Sequence, residues 1–81
     1  MWFIYILLCE DGSLYTGYTD DLGRRFLEHK NGKGGRYTSS HKPIKIIYLE
    51  KFKTKQEALK RENQIKGWTR EKKIRILKLK I

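Results

Sequence analysis

Two tyrosines, Tyr5 and Tyr15, stand ten positions apart on either side of Asp11-Gly12, and Gly17 follows the second after one residue. A phenol can donate or accept a hydrogen bond, and beside a positive charge it can act as a base despite an ordinary pKa of about 10. A glycine next to such a ring leaves a gap in which another group can approach. The plainer reading is two core aromatics with their hydroxyls at the rim, and composition alone favours it. Farther along, Arg25 and His29 lie four apart, the spacing that puts two side chains on one helix face. A guanidinium held there can bind two phosphate oxygens, and an imidazole can carry or orient a proton. The alternatives are a surface ion pair of Arg25 with Asp21 and a helix-end histidine without a task. Glu62 shares its helical stripe with Ala58 and Ile65. A carboxylate on an apolar face needs a cation, a metal or a solvent-filled cleft, so metal ligand and ion pair stand as equal readings.

The elements that carry these residues follow from patterning. "WFIYILLC", residues 2 to 9, is apolar at both alternating sets of positions, which suits a central strand covered by helices on both faces. "EDGS" supplies a turn and "LYTGYT" a second strand. A two-residue Asp-Gly loop pairs Leu8 with Tyr15 and puts the tyrosines on opposite faces. A three-residue loop with Gly12 as a left-handed bulge pairs Leu7 with Tyr15 and Tyr5 with Gly17, on one face. The hairpin sequence permits either register, since one residue of shift flips every side chain. Thr19 or Asp20 can cap a helix to about Lys30, with Leu22 and Phe26 on its buried stripe and Asn31-Gly32 at its end.

"NGKGGRYTSSHKP", residues 31 to 43, is glycine-rich, basic and free of acids. A loop of more than about 12 residues is often functional, so Lys33, Arg36, Tyr37, His41 and Lys42 become candidate nucleic-acid contacts. For Tyr37 the two roles are stacking on an unpaired base and anchoring the loop; for His41 they are a phosphate contact and simple solvation. "IKIIYLE", 44 to 50, reads as a third strand. Thr54 with Glu57 forms a capping box for a helix to about Lys66, and Thr69 can cap a last helix. The end of that helix is ambiguous, because "LKLKI" alternates like a strand while Ile74, Leu77 and Ile81 recur with helical spacing. The predicted order is β-β-α-β-α-α: an α/β (α+β) fold, one small three-stranded antiparallel sheet flanked by helices.

The chain has 81 residues, 19 Lys+Arg against 9 Asp+Glu and a formal net charge of +10. That length supports one core and one domain, and that charge draws polyanions, nucleic acid before all others. No apolar run approaches the roughly 20 residues of a membrane span, and no signal-peptide pattern opens the chain, so a cytoplasmic protein without membrane association is expected. Cys9 lies in an apolar run without a disulfide partner or zinc-site neighbours and is expected in the core.

The motif pattern, "IY" at 4 to 5, "YTG" at 15 to 17 and "DDLGRRFLEH" at 20 to 29, resembles the GIY-YIG nuclease superfamily. "GGRYTSSHKP" and "EALKRENQIKGW" extend the likeness across residues 1 to 81, toward that superfamily's small stand-alone, single-domain branch. The departures are Phe3 in place of glycine, Thr16 in place of a branched aliphatic residue, and Tyr18 where several relatives have lysine. The resemblance implies Tyr5, Tyr15, Gly17, Arg25, His29 and Glu62 as the site, with both tyrosines facing one pocket. It makes metal the better reading of Glu62, as ligand to a single Mg²⁺ or Mn²⁺, since magnesium commonly binds through one or two carboxylates plus substrate phosphate. The implied activity is endonucleolytic hydrolysis of a phosphodiester, with Arg25 neutralising phosphate charge, Tyr5 activating water and Tyr15 positioning it. DNA is expected ahead of RNA, with structure-selective rather than sequence-specific recognition. The twelve basic residues from Lys51 onward offer backbone contacts without base readout. Specificity from a protein partner is a further expectation, and the alternative to the enzyme is a non-catalytic nucleic-acid-binding module on the same fold.

Overall fold

A computed structural model describes residues 1–35 and 40–81. Strands β1 (Trp2–Cys9), β2 (Leu14–Thr19) and β3 (Pro43–Phe52) form one antiparallel sheet in the order β2-β1-β3. Helices α1 (Leu22–Lys30), α2 (Lys55–Lys66) and α3 (Arg70–Leu77) complete the predicted β-β-α-β-α-α order among the described residues.

The apolar strand is the central one, and both its faces are covered. Ile4 and Ile6 are fully buried against Ala58 and Ile65 of α2 and Leu79 beyond α3. Each large apolar side chain buried this way contributes about 1.5–3 kcal/mol. The alternate positions, Tyr5, Leu7 and Cys9, are equally buried on the opposite face, where Tyr5 meets α1 through His29. Burial raises the Cys9 thiol pKa, keeping it an uncharged core residue.

The hairpin has the three-residue loop. Cys9 N–H donates to Ser13 O at 3.0 Å, Gly12 N–H donates to Cys9 O at 2.9 Å, and Gly12 takes a φ of +82° that a glycine adopts without a Cβ clash. Tyr5 therefore pairs with Gly17 and Leu7 with Tyr15. The pairing of β1 with β3 is less regular, with register shifts at Ile6/Leu7 and Leu8/Cys9.

Thr54 and Thr69 cap α2 and α3 as expected, accepting from Glu57 N–H at 3.2 Å and Lys72 N–H at 3.1 Å. The cap of α1 differs: it is Asp21, whose carboxylate accepts from Arg24 N–H at 3.1 Å. Thr19 is drawn one step earlier, its hydroxyl accepting from Asp21 N–H at 3.1 Å, so its side chain braces the cap. Within α1, His29 is the fully buried residue, while Leu22 and Phe26 remain partly exposed. At the far end helical spacing holds only to Leu77: Ile81 is exposed, and Leu79, off that stripe, is buried. α3 stops where Lys78 turns left-handed (φ 53°, ψ 47°), and Leu79 N–H donates to Ile74 O at 3.0 Å as its side chain enters the core.

Candidate active site

The odd-numbered face of β1 and β2 carries Tyr5 beside Gly17 because the register is set by the three-residue loop. A Cβ built on Gly17 would lie 2.5 Å from Tyr5 Oη, 2.7 Å from Tyr5 Cζ and 3.1 Å from Tyr15 Cε1. The Tyr5 ring thus lies across the bare backbone of β2, with its hydroxyl directed past Gly17. Tyr5 and Tyr15 ring centroids are 6.4 Å apart. His29, from the last turn of α1, meets both edge-on, at 5.8 Å from Tyr5 and 4.9 Å from Tyr15.

Tyr5 Oη and His29 Nε2 share a hydrogen bond of 2.7 Å. Burial drives the His29 pKa down to about 4, with the nearby Arg25 charge acting in the same direction. Burial also pushes the Tyr5 phenol up to about 12, although the Arg25 guanidinium opposes the shift. At neutral pH the imidazole is uncharged and the phenol keeps its proton. Oη donates to Nε2 when the ring hydrogen is on Nδ1, and accepts from Nε2–H in the other tautomer. A metal or Arg25 could supply the positive charge that makes a phenol basic; in this site desolvation outweighs the Arg25 contribution.

Arg25 Nη2 donates to Gly34 O at 3.0 Å and Nη1 to Glu28 Oε1 at 3.3 Å. Its acidic partner is therefore Glu28, three residues on, rather than Asp21. The Gly34 contact folds the segment after α1 back over His29. A Cβ on Gly34 would lie 2.6 Å from His29 Cγ and 2.8 Å from its Cα, so only glycine fits this approach.

Glu62 is 4% exposed on α2, within electrostatic reach of the Tyr5 phenol. Its carboxylate meets Lys66 Nζ at 3.4 Å, one turn on. Among the described residues no three His, Cys, Asp or Glu side chains cluster as a metal cage. A single buried carboxylate does fit a hard, largely hydrated cation such as Mg²⁺ that takes its remaining oxygens from water and phosphate. Beside Glu62's helix, Lys73 of α3 is 8% exposed and donates to Thr16 Oγ1 at 3.1 Å. Burial, then the Lys66 charge, lowers the Lys73 pKa.

Tyr5, Tyr15, Gly17, Arg25 and His29 thus lie together. Residues 1–75 match the GIY-YIG catalytic domain. The chain belongs to the GIY-YIG family. A UPF0213 protein of Staphylococcus saprophyticus is 49% identical over 75 residues, covering 93% of this chain and 92% of that protein. One from Staphylococcus aureus is 50% identical over 76 residues, covering 94% and 93%. The solution NMR structure of a UPF0213 protein from Bacillus halodurans superimposes with a TM-score of 0.61 at 40% identity, covering 96% of this chain and 84% of that one.

Other residues of this GIY-YIG domain fall elsewhere. His41 Nε2 lies 3.5 Å from Asp11 Oδ2, and Lys42 O accepts from Glu10 N–H at 2.8 Å, so both belong to the hairpin-loop end of the sheet. Lys33 is exposed, its N–H donating to Glu28 O at 2.7 Å behind α1. Arg36 and Tyr37 lie outside the described residues. Sequence reasoning missed Gly34, Glu28, Lys66 and Lys73. The i,i+4 spacing of Glu62 and Lys66 was a readable signal; the Lys73–Thr16 contact, 57 residues apart in sequence, left none. No helix among the described residues is long and apolar enough to cross a membrane.

Proposed function

We propose that this chain is a divalent-metal-dependent endonuclease that hydrolyses nucleic-acid phosphodiesters, DNA ahead of RNA, from the single domain 1–81. The observation that carries this reading is the packing of Tyr5, Tyr15 and His29 around the side-chain-free Gly17, with Arg25 alongside. Arg25 is half-committed to Gly34 O and Glu28, which presets its guanidinium beside the pocket to receive phosphate oxygens. Tyr5 Oη orients the attacking water, and the neutral His29 Nε2 lies in line to receive or share the phenolic proton. Tyr15 lies on the same face, where its hydroxyl positions water or phosphate. Glu62 would hold Mg²⁺ or Mn²⁺, which supplies phosphate polarisation and the positive charge that a phenol of pKa about 12 needs in order to ionise. The substrate is held through its backbone and shape, which the dispersed lysines of α2 and α3 suit, with a protein partner adding specificity.

A second reading, a nucleic-acid-binding module that does not cleave, draws on the pairing of Glu62 with Lys66 and of Arg25 with Glu28. Both readings expect salt-sensitive binding, so cleavage must separate them. Purified protein is incubated with branched, flapped, single-stranded and duplex DNA, and with RNA, in Mg²⁺ or Mn²⁺ and then in EDTA. Metal-dependent products lost in Glu62→Ala and Arg25→Ala establish the enzyme. Intact substrates across that panel establish the binding module.

A further inference from the structure

A second cleft opens beside Arg25, where β1 begins and β2 runs into α1. It is an open cleft of about 320 Å³, its lining including Trp2, Tyr18, Asp20, Arg24, Arg25 and Glu28. Two aromatic rings stand in its lining: Trp2 and Tyr18 lie 6.2 Å apart, tilted by 38°, and both are partly exposed although they flank the core. The Lys55 ammonium sits 5.7 Å over the Trp2 ring. Its rim is made of matched charges, Asp20 against Arg24 at 3.4 Å and Glu28 against Arg25 at 3.3 Å.

That mixture discriminates among ligands. A second phosphate would face two carboxylates and the repulsion they bring. An apolar side chain would leave the four charged groups of the rim without use. A nucleobase uses both parts, since its π-face stacks on an aromatic ring and its edge presents donors and acceptors together. A carboxylate can accept from an exocyclic amino group of cytosine or adenine, and a guanidinium can donate to ring nitrogens or carbonyls. Within a duplex that face is covered by neighbouring bases, so the base entering this cleft must be unpaired.

We infer that the Trp2–Tyr18 cleft is a stacking subsite for an unpaired nucleobase adjoining the phosphate at Arg25, which selects single-stranded, flapped or frayed substrates. The inference rests on the nuclease reading only for the phosphate being at Arg25. Tyr18 acts here as a binding residue, outside the reacting atoms.

The test is binding in EDTA, so it does not depend on cleavage. Trp68→Phe leaves Trp2 as the one tryptophan, because the chain has two. This protein is titrated with a single-stranded oligonucleotide, a blunt duplex of the same sequence and AMP, following Trp2 fluorescence. The single strand is expected to quench Trp2 and to bind about 5-fold or more tighter than the duplex. Tyr18→Leu should lower single-strand affinity about 5- to 20-fold with duplex affinity unchanged, and Tyr18→Phe should retain it. Unchanged duplex binding also reports a folded Tyr18→Leu protein. Unquenched Trp2, equal loss on both substrates, no loss on either, or AMP binding as tightly as the strand would each overturn the inference. An inactive protein that passes this test keeps the subsite and loses the nuclease reading; an active one that fails it does the reverse.

Discussion

The Tyr5 hydroxyl and His29 Nε2 lie 2.7 Å apart although the two residues are 24 positions apart in the chain. Their protonation is complementary, a phenol held up to about 12 by burial beside an imidazole held down to about 4 by burial. The pair shares a hydrogen bond, and burial makes each partner resist acquiring charge.

Tyr5→Phe keeps the ring and removes the shared proton. Cleavage is expected to fall about 100-fold or more, the scale of general acid–base catalysis. Loss of the Tyr5–His29 hydrogen bond within this buried site costs about 1–3 kcal/mol of stability. Parallel kinetics of Tyr15→Phe assign the roles: activity retained in Tyr5→Phe and lost in Tyr15→Phe would show Tyr15 to be the water-activating residue.

Gly17→Ala puts a methyl 2.7 Å from Tyr5 Cζ, and Gly34→Ala puts one 2.8 Å from His29 Cα. The first can be met by tilting an aromatic ring. The second meets backbone, which yields less. Urea titration should find both destabilised by about 1–3 kcal/mol, Gly34→Ala the more, and both with reduced cleavage.

His29 also sets a pH dependence. Its folded pKa of about 4 lies below its ordinary value of 6.5, so the unfolded chain binds the extra proton between those values. The contribution of neutral His29 is complete above pH 6.5, lost progressively as pH falls toward 4, and fully lost below it. The loss amounts to roughly 3.5 kcal/mol at most, at about 1.4 kcal/mol for each pH unit between 6.5 and about 4. Denaturation curves at pH 7, 5.5 and 4 should show it, with a flatter profile in His29→Gln.

Lys78 is the one non-glycine residue with positive φ among the described residues. Lys78→Gly removes the clash of its Cβ with the following carbonyl while retaining the left-handed stop. A gain of about 0.5–1 kcal/mol is expected, net of the greater freedom of glycine in the unfolded chain. A melting temperature unchanged or lowered would contradict it.

If Glu62 holds the metal as proposed, Lys66, its ammonium 3.4 Å from the carboxylate, would compete with that cation. Lys66→Met should tighten Mn²⁺ binding about 3- to 10-fold in calorimetry at low salt, since removing a nearby positive charge favours the cation. Glu62→Gln should abolish the binding heat.

Local chemistry made much of this fold legible. Thr54 and Thr69 announce α2 and α3 because a hydroxyl one residue ahead of a helix can satisfy its free amides. Trp2–Cys9 reads as the central strand because both its alternating sets of residues are apolar. The family motifs likewise marked Tyr5, Tyr15, Gly17, Arg25, His29 and Glu62.

Other features came from contacts distant in sequence. The hairpin sequence allows two registers, and the structure takes the one that puts Tyr5 opposite Gly17. The cap of α1 shifted to Asp21 because the Thr19 hydroxyl was already engaged with the backbone of that residue. Gly34 became part of the site only when the chain after α1 folded over His29. The high pKa of Tyr5 required knowing how much water its burial excludes, which no spacing of residues encodes. Sequence by itself determined which groups this protein carries and the elements that hold them. Tertiary structure decided their mutual distances and their solvation, because both depend on surfaces that exist only after distant segments have packed.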